Sequence, residues 1–147
     1  MGGAGSNTVA LVGSEFEENL SLRYLAAAVQ AAGFRAEIVP YNDPGGREDA
    51  LRRILARPPL VVGISVPFQL RARELLTLAE DLRARGYPGH LCVGGHFATF
   101  EYENLLRDFP AVDSVVRHEG EDTFRELCEH VRDGQALGPI PGYEHWN

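Results

Sequence analysis

The stretch LVVGIS, residues 60–65, decides the fold of this chain. Every position in it except the last is apolar or glycine, so both faces of the segment suit burial. A strand buried on both faces is typical of the centre of a parallel sheet, which helices cover on each side. The stretch therefore predicts a central parallel strand.

Strand patterns and helix patterns alternate on both sides of this stretch. The helix pattern at residues 71–85 is the clearest, because its apolar residues recur on one stripe. We predict strands at residues 8–12, 35–40, 60–65, 91–93 and 113–116, and helices at residues 19–32, 48–56, 71–85, 100–107 and 122–132. This alternation predicts an α/β three-layer sandwich around a doubly wound, five-stranded parallel sheet in the flavodoxin-like order 2-1-3-4-5.

The length of 147 residues suits a single domain, which we place at residues 1–133. Residues 134–147 are rich in proline and glycine and are interpreted as a tail or linker. The start of the chain lacks the basic segment and long apolar run of a signal peptide, and no stretch approaches the length of a membrane span. We therefore predict a cytoplasmic protein without a membrane partner.

The charges exclude several classes of function. The net charge is −7, and all 14 basic residues are arginine, so the chain offers neither a P-loop lysine nor a Schiff-base lysine. No basic stripe is present that would bind nucleic acid. Cys92 and Cys128 lie too far apart in sequence for a zinc knuckle or an iron–sulfur motif and are interpreted as buried thiols.

Ligands of this fold bind beyond the carboxyl ends of the strands, so the loops that follow the strands are the candidate site. The first of these loops is acidic. Glu17 and Glu18 could contact a ligand, or they could simply lie at the start of a helix, where the helix dipole favours negative charge. The third strand ends in Ser65. A phosphorelay receiver domain needs an aspartate at that position, so the sequence does not support that function. A serine there could bond a ligand, or serve only as a turn residue.

Gly94 and Gly95 follow the fourth strand. Their lack of a Cβ would let a flat, bulky ligand approach the backbone, although Gly-Gly is also a common turn. On the first interpretation, Gly95→Val should abolish ligand retention and leave the fold intact. His96 next to them is a candidate ligand, a hydrogen-bond donor or a solvated loop residue. Beyond the fifth strand, Glu121 and Asp122 could reach the same cleft or only cap a helix.

Four segments together resemble the cobalamin-binding domains of the cobalamin-dependent radical SAM enzymes. The pattern LSLRYLAA at residues 20–27 is similar to the first helix of that family, and SVP at residues 65–67 to the end of its third strand. GGHFAT at residues 94–99 resembles its Gly-Gly-Pro-His-Ala-Thr signature, and RHEGE at residues 117–121 its Arg-Gly-Glu-Gly-Glu segment.

The resemblance implies that the chain holds cobalamin at the carboxyl edge of its sheet. Ser65 and the Gly94–Gly95 backbone would line the pocket for the nucleotide tail, and the first loop would face the lower side of the cobalt. The cofactor-binding residues assigned in this way are Ser14, Glu15, Phe16, Asn19, Leu20, Ser65, Val66, Pro67, Phe68, Gly94, Gly95, His96, Phe97, Thr99, Glu119, Gly120 and Glu121.

The chain departs from the family, and from the related mutase and methionine-synthase modules whose first loop carries a cobalt-binding histidine, in ways that limit these roles. No histidine precedes His90, so the first loop supplies no histidine ligand to cobalt, and His96 stays a candidate metal ligand. The family's Cys-x3-Cys-x2-Cys motif is absent. S-adenosylmethionine and an iron–sulfur cluster are therefore expected only in a partner radical SAM domain, in cis or in trans, as part of a methyltransferase.

No catalytic centre is expected in this chain itself. Two other functions remain open on the residues alone. One is a degenerate, corrinoid-free interaction domain, and the other is a flavin- or nucleotide-binding module of the same fold.

Overall fold

A computed structural model describes residues 7–13, 20–42, 44–66, 72–117, 121–138, 140 and 143–145. The strands are β1 (Thr8–Gly13), β2 (Arg35–Pro40), β3 (Val61–Ser65), β4 (His90–Gly94), β5 (Ser114–Val116) and β6 (Tyr143–His145). The helices are α1 (Leu20–Ala31), α2 (Arg47–Ala56), α3 (Ala72–Ala84), α4 (His96–Asp108) and α5 (Glu121–Asp133), with a 3-10 turn at Pro44–Gly46.

The strands form one sheet in the order β2-β1-β3-β4-β5-β6. The first five are parallel, which confirms the predicted order 2-1-3-4-5. All five residues of β3 are buried, as expected of a strand covered on both faces. Helices α2, α3 and α4 contribute to one apolar core on one face of the sheet, and α1 and α5 contribute to a second core on the other face.

A sixth strand lies in the segment that the sequence analysis assigns to a tail or linker. Strand β6 pairs antiparallel with β5, and Ile140 before it is only 3% exposed, in the core of the α1/α5 face. Three residues that follow a run of prolines and glycines carry no periodicity from which a strand could be predicted. The segment therefore packs on the domain, and its role as a linker to another domain stays a prediction.

Helix α4 begins four residues earlier than predicted, directly after Gly95. Gly95 has φ +105°, a conformation that turns the chain sharply from β4 into the helix. A kink at Glu101, with φ −110° and ψ 20°, separates the first part of α4 from the rest. His96 is thus the first helical residue rather than a loop residue.

The amino edge of the sheet is held by Arg83 at the end of α3. Its guanidinium donates four hydrogen bonds, to Tyr87 O (2.8 Å), Gly89 O (3.0 Å), Ala111 O (3.3 Å) and Asp113 Oδ2 (2.7 Å). The same carboxylate oxygen of Asp113 accepts a bond from the Leu91 N–H at 2.8 Å. One side chain thereby ties together the loops that enter β4 and β5.

None of the helices in the described ranges has the length and apolar character needed to cross a membrane.

Candidate functional site

The strand register places three small residues side by side at the carboxyl edge of the sheet. Ser65 of β3 is level with Gly94 of β4. Val12 of β1 is level with Ile64, so the next residue, Gly13, is level with Ser65. We call Gly13, Ser65 and Gly94 the small-residue row.

The row faces the α1/α5 side of the sheet. Gly63 precedes Ser65 by two residues, and a Cβ on Gly63 would lie 3.1 Å from the Phe124 ring of α5. Side chains two residues apart on a strand point to the same face, so the Ser65 side chain is directed to the same side as Phe124. The Phe124 ring therefore covers the sheet just below the row, while the row itself carries no side chain larger than a hydroxymethyl group.

Space is left above Gly94. Among the described residues, the only atom within 4 Å of a Cβ built there is the Val116 carbonyl oxygen, at 3.6 Å. That distance is an ordinary van der Waals contact, so the described residues do not demand a glycine at this position. Gly94 has the open surroundings expected at a surface that another group approaches.

Gly95 is required by the fold itself, whatever its part in a ligand site. A Cβ on Gly95 would lie 2.7 Å from the carbonyl oxygen of Val66, and the φ of +105° disfavours any other residue. The neighbouring Val66 N–H donates to the Gly94 carbonyl at 2.8 Å. The expectation that Gly95→Val leaves the fold intact is therefore wrong, because the chain's own backbone occupies the space.

Ser65 is the polar group of the row. It is 9% exposed, and its hydroxyl makes no hydrogen bond to any residue in the described part of the chain. A hydroxyl at the carboxyl edge of the sheet that has no partner among the described residues is suited to bond a ligand. Val66 beside it has its side chain in the core of the α2/α3/α4 face, which leaves only its backbone for a ligand.

The other predicted site residues divide into two groups. The backbones of Leu20, His96, Phe97 and Thr99 lie in the first turns of α1 and α4, and Glu121 begins α5, so all five lie at helix starts near this edge. Ser14, Glu15, Phe16, Asn19, Pro67, Phe68, Glu119 and Gly120 lie outside the described residues, as do Glu17 and Glu18.

Sequence reasoning placed Gly13 in the first loop of the site without its register, and it missed Phe124 and Arg117 as neighbours of the site. The position of Gly13 in the row and the packing of Phe124 depend on contacts between distant segments, which leave no local signal. Arg117 did have a signal, because it is the arginine of the segment RHEGE at residues 117–121.

The described residues contain no group of three or more histidine, cysteine, aspartate or glutamate side chains that could hold a metal ion. His90 Nε2 lies 2.8 Å from Ser114 Oγ, and His130 Nδ1 lies 2.8 Å from the Ala136 carbonyl oxygen. These two histidines therefore make hydrogen bonds inside the domain.

A cavity of 420 Å³ opens on the opposite face of the sheet, between α3 and α4. Its wall combines apolar Leu76 and Leu105 with charged Arg73 and Arg107. No predicted site residue within the described ranges lines it.

Both cysteines are buried and free, as the sequence analysis predicts. Burial raises the pKa of the Cys92 thiol from 9.0 to about 12, and burial also raises the pKa of Cys128. Both thiols are therefore neutral at physiological pH, and neither is an activated nucleophile.

We expect both thiols to resist alkylation at pH 8 in the folded protein and to react at once in denaturant. Labelling followed by mass spectrometry checks this, and rapid modification of either cysteine in the native protein would contradict it. Because the native state holds the Cys92 proton more tightly than the unfolded chain, stability should fall as pH rises from 9.0 towards about 12.

The family model described as "B12 binding domain" matches residues 7–128 of this chain. An uncharacterized methyltransferase of Pyrococcus horikoshii is 42% identical over 128 residues, 86% of this chain and 27% of that protein. The anaerobic magnesium-protoporphyrin IX monomethyl ester cyclase of Rubrivivax gelatinosus is 31% identical over 78% of this chain and 21% of its own length. The hopanoid C-3 methylase of Methylococcus capsulatus is 28% identical over 85% of this chain and 24% of its own length. The chain thus spans only about a quarter of these curated relatives.

Two solved structures share the fold. The apo structure of OxsB, a cobalamin-dependent S-adenosylmethionine radical enzyme, has a TM-score of 0.77 at 22% identity, over 96% of this chain and 21% of that one. A chain from the complex of histidine kinase ThkA with response regulator TrrA has a TM-score of 0.60 at 16% identity, over 85% of this chain and 97% of that one. At these identities the likeness is one of fold alone.

Proposed function

Because this chain belongs to the B12 binding domain family, we propose that it binds a corrinoid at the carboxyl edge of its sheet and presents it to a partner radical SAM domain. The observation that carries the proposal is the small-residue row with Ser65 at its centre, whose hydroxyl has no partner among the described residues. The resemblance of four sequence segments to the cobalamin-dependent radical SAM enzymes agrees with this proposal.

The residues of the edge fit a cobalamin. The row provides a strip of sheet without large side chains, against which the nucleotide tail would lie. The Ser65 hydroxyl would donate a hydrogen bond to the nucleotide tail or accept one from it. The tail would occupy the open space over Gly94. Phe124 would close the lower end of the slot, so the tail would be shielded from water on burial.

The helix starts around the edge supply the remaining groups. The first turns of α1, α4 and α5 begin at Leu20, His96 and Glu121, and the backbone N–H groups of a helix's first turn point beyond its amino end, here toward this edge. These donors would meet the carbonyl oxygens of the corrin amides, with the segments at residues 14–19 and 118–120 completing the site.

Bound cobalamin would supply a cobalt that accepts and donates a methyl group, chemistry that belongs to the cofactor. The part of this chain is to bind, orient and shield. The S-adenosylmethionine and the iron–sulfur cluster would belong to the partner domain, and the methylated substrate would bind there as well.

We expect the purified chain, mixed with hydroxocobalamin and passed through a desalting column, to keep the corrinoid absorption bands. Ser65→Ala should weaken binding about fivefold, the equivalent of one hydrogen bond. Thr8→Val, which removes a hydroxyl at the opposite end of β1, should leave binding unchanged.

The outcomes separate the alternatives. A colourless protein with no spectral change would support a corrinoid-free interaction domain, and retention of a yellow flavin would support a flavin module. Repeated turnover of a methyl acceptor by the isolated chain, with S-adenosylmethionine and reductant, would contradict the role of a carrier without its own catalytic centre.

A further inference from the structure

Arg117, the first residue after β5, joins three elements of the fold. Its Nη1 donates to Glu144 Oε2 of β6 at 3.0 Å, and its Cζ lies 4.5 Å from the centre of the Tyr102 ring of α4. We call Arg117, Glu144 and Tyr102 the arginine clamp. The ion pair spans 27 positions of sequence, so it is a tertiary contact and not a local one.

The position of Arg117 in the clamp carries an unfavourable free-energy contribution. The Nε of Arg117 is buried, and no residue in the described ranges accepts a hydrogen bond from it. A buried donor without an acceptor is unfavourable, so the guanidinium stays in place only because other contacts offset that loss. The carboxylate of Glu144 and the ring face of Tyr102 are the contacts that do so.

Arg117 and Tyr102 both lie in elements that border the carboxyl edge of the sheet. Arg117 directly follows Val116, whose carbonyl oxygen borders the open space over Gly94. Tyr102 lies in α4, the helix that begins at His96 immediately after the glycines, and it follows the kink at Glu101. A shift of the guanidinium would therefore move the end of β5 and the helix that leaves β4, which form two sides of the proposed site.

We propose that Arg117 is a positioning residue, which fixes β6 and α4 at the end of β5 and thereby keeps the carboxyl edge in the shape that binds the corrinoid. This inference rests on the proposed function. Neither Glu144 nor Tyr102 needs to touch the corrinoid. Because coupling between two equilibria is reciprocal, a corrinoid that binds better when β6 is docked must also hold β6 more firmly in place.

Two variants open the clamp from opposite sides. Glu144→Gln keeps the shape of the side chain and removes the charge that pairs with Arg117. Tyr102→Leu keeps an apolar side chain and removes the ring face. The matched control is Glu129→Gln on α5, because Glu129 pairs with Arg125 at 2.9 Å with a similar exposure, on another part of the molecule.

The measurements are hydroxocobalamin affinity by titration and amide hydrogen exchange of residues 143–145, with and without hydroxocobalamin. In the wild-type chain the corrinoid should slow exchange in β6. Each clamp variant should speed ligand-free exchange in β6 about tenfold, and should weaken corrinoid binding about fivefold. The Glu129→Gln control should match the wild type in both measurements.

The outcomes distinguish the two proposals. Wild-type binding with unchanged affinity in both clamp variants would overturn the inference and leave the proposed function standing. Failure of the wild-type chain to bind hydroxocobalamin would overturn the proposed function, and the inference with it. A merely structural clamp would speed β6 exchange in the variants, but bound corrinoid would give β6 no protection in the wild type, and that result would also overturn the inference.

Discussion

Replacing Gly94 by valine should strongly weaken corrinoid binding while the protein stays folded. Among the described residues, a Cβ at Gly94 meets only the Val116 carbonyl oxygen, at an ordinary 3.6 Å, so we expect the fold to accept a larger side chain there. Those atoms would occupy the space proposed for the nucleotide tail. Overpacking of this kind costs about 1–3 kcal/mol, which weakens binding by up to about 100-fold. Titration with hydroxocobalamin, alongside thermal unfolding of the free protein, measures both effects.

The neighbouring glycine provides the contrast. Gly95→Ala should lower the melting temperature even without ligand, because its Cβ would collide with the Val66 backbone and its φ is positive. Gly94→Ala, with a single added carbon, should keep the melting temperature of the wild type and weaken binding less than valine does. Normal corrinoid affinity in both Gly94 variants would show that the tail binds elsewhere.

Replacing Arg83 by methionine should produce the largest loss of stability of any single arginine change described here. The guanidinium makes four hydrogen bonds at the amino edge, and its removal also leaves the Asp113 carboxylate without its cation. Since the group is partly exposed, we expect a loss of about 3 kcal/mol in the free energy of unfolding. For a domain of this size the melting temperature should fall by about 10 °C.

A surface arginine is the control for that measurement. Arg52→Met removes only an exposed ion pair to Asp49 and should change the free energy of unfolding by less than about 0.5 kcal/mol. Urea denaturation of both variants measures the difference. Equal stabilities would show that the Arg83 contacts contribute little. Corrinoid affinity should be preserved in Arg83→Met, because the change lies at the edge opposite the proposed site.

The parallel part of the fold could be predicted from sequence because its signals are local. The stretch at residues 60–65 is apolar on both faces, and each helix carries a stripe at helical spacing. Strand β6 could not be predicted in the same way, because it consists of three residues whose only reason to be extended is the edge of β5. Its pairing partner lies almost thirty residues earlier in the chain.

The candidate site was predictable as a set of loops but not as a geometry. Sequence identified Ser65, Gly94 and Gly95 and treated the two glycines alike. Only the strand register shows that Gly94 is level with Ser65. Only the path of the backbone shows that position 95 needs a glycine, because a Cβ there would collide with the backbone of Val66. Register depends on contacts between distant segments, which a single sequence does not display.

The position of β6 also affects the order in which this domain can be completed during synthesis. Strands β1 to β5 and both cores can assemble from residues that have already left the ribosome, since domains fold as their chains emerge. The outer side of β5 stays unpaired until residues 143–145 follow. During that interval the nascent domain presents a bare strand edge to neighbouring chains, a template for unwanted pairing that the final strand then covers.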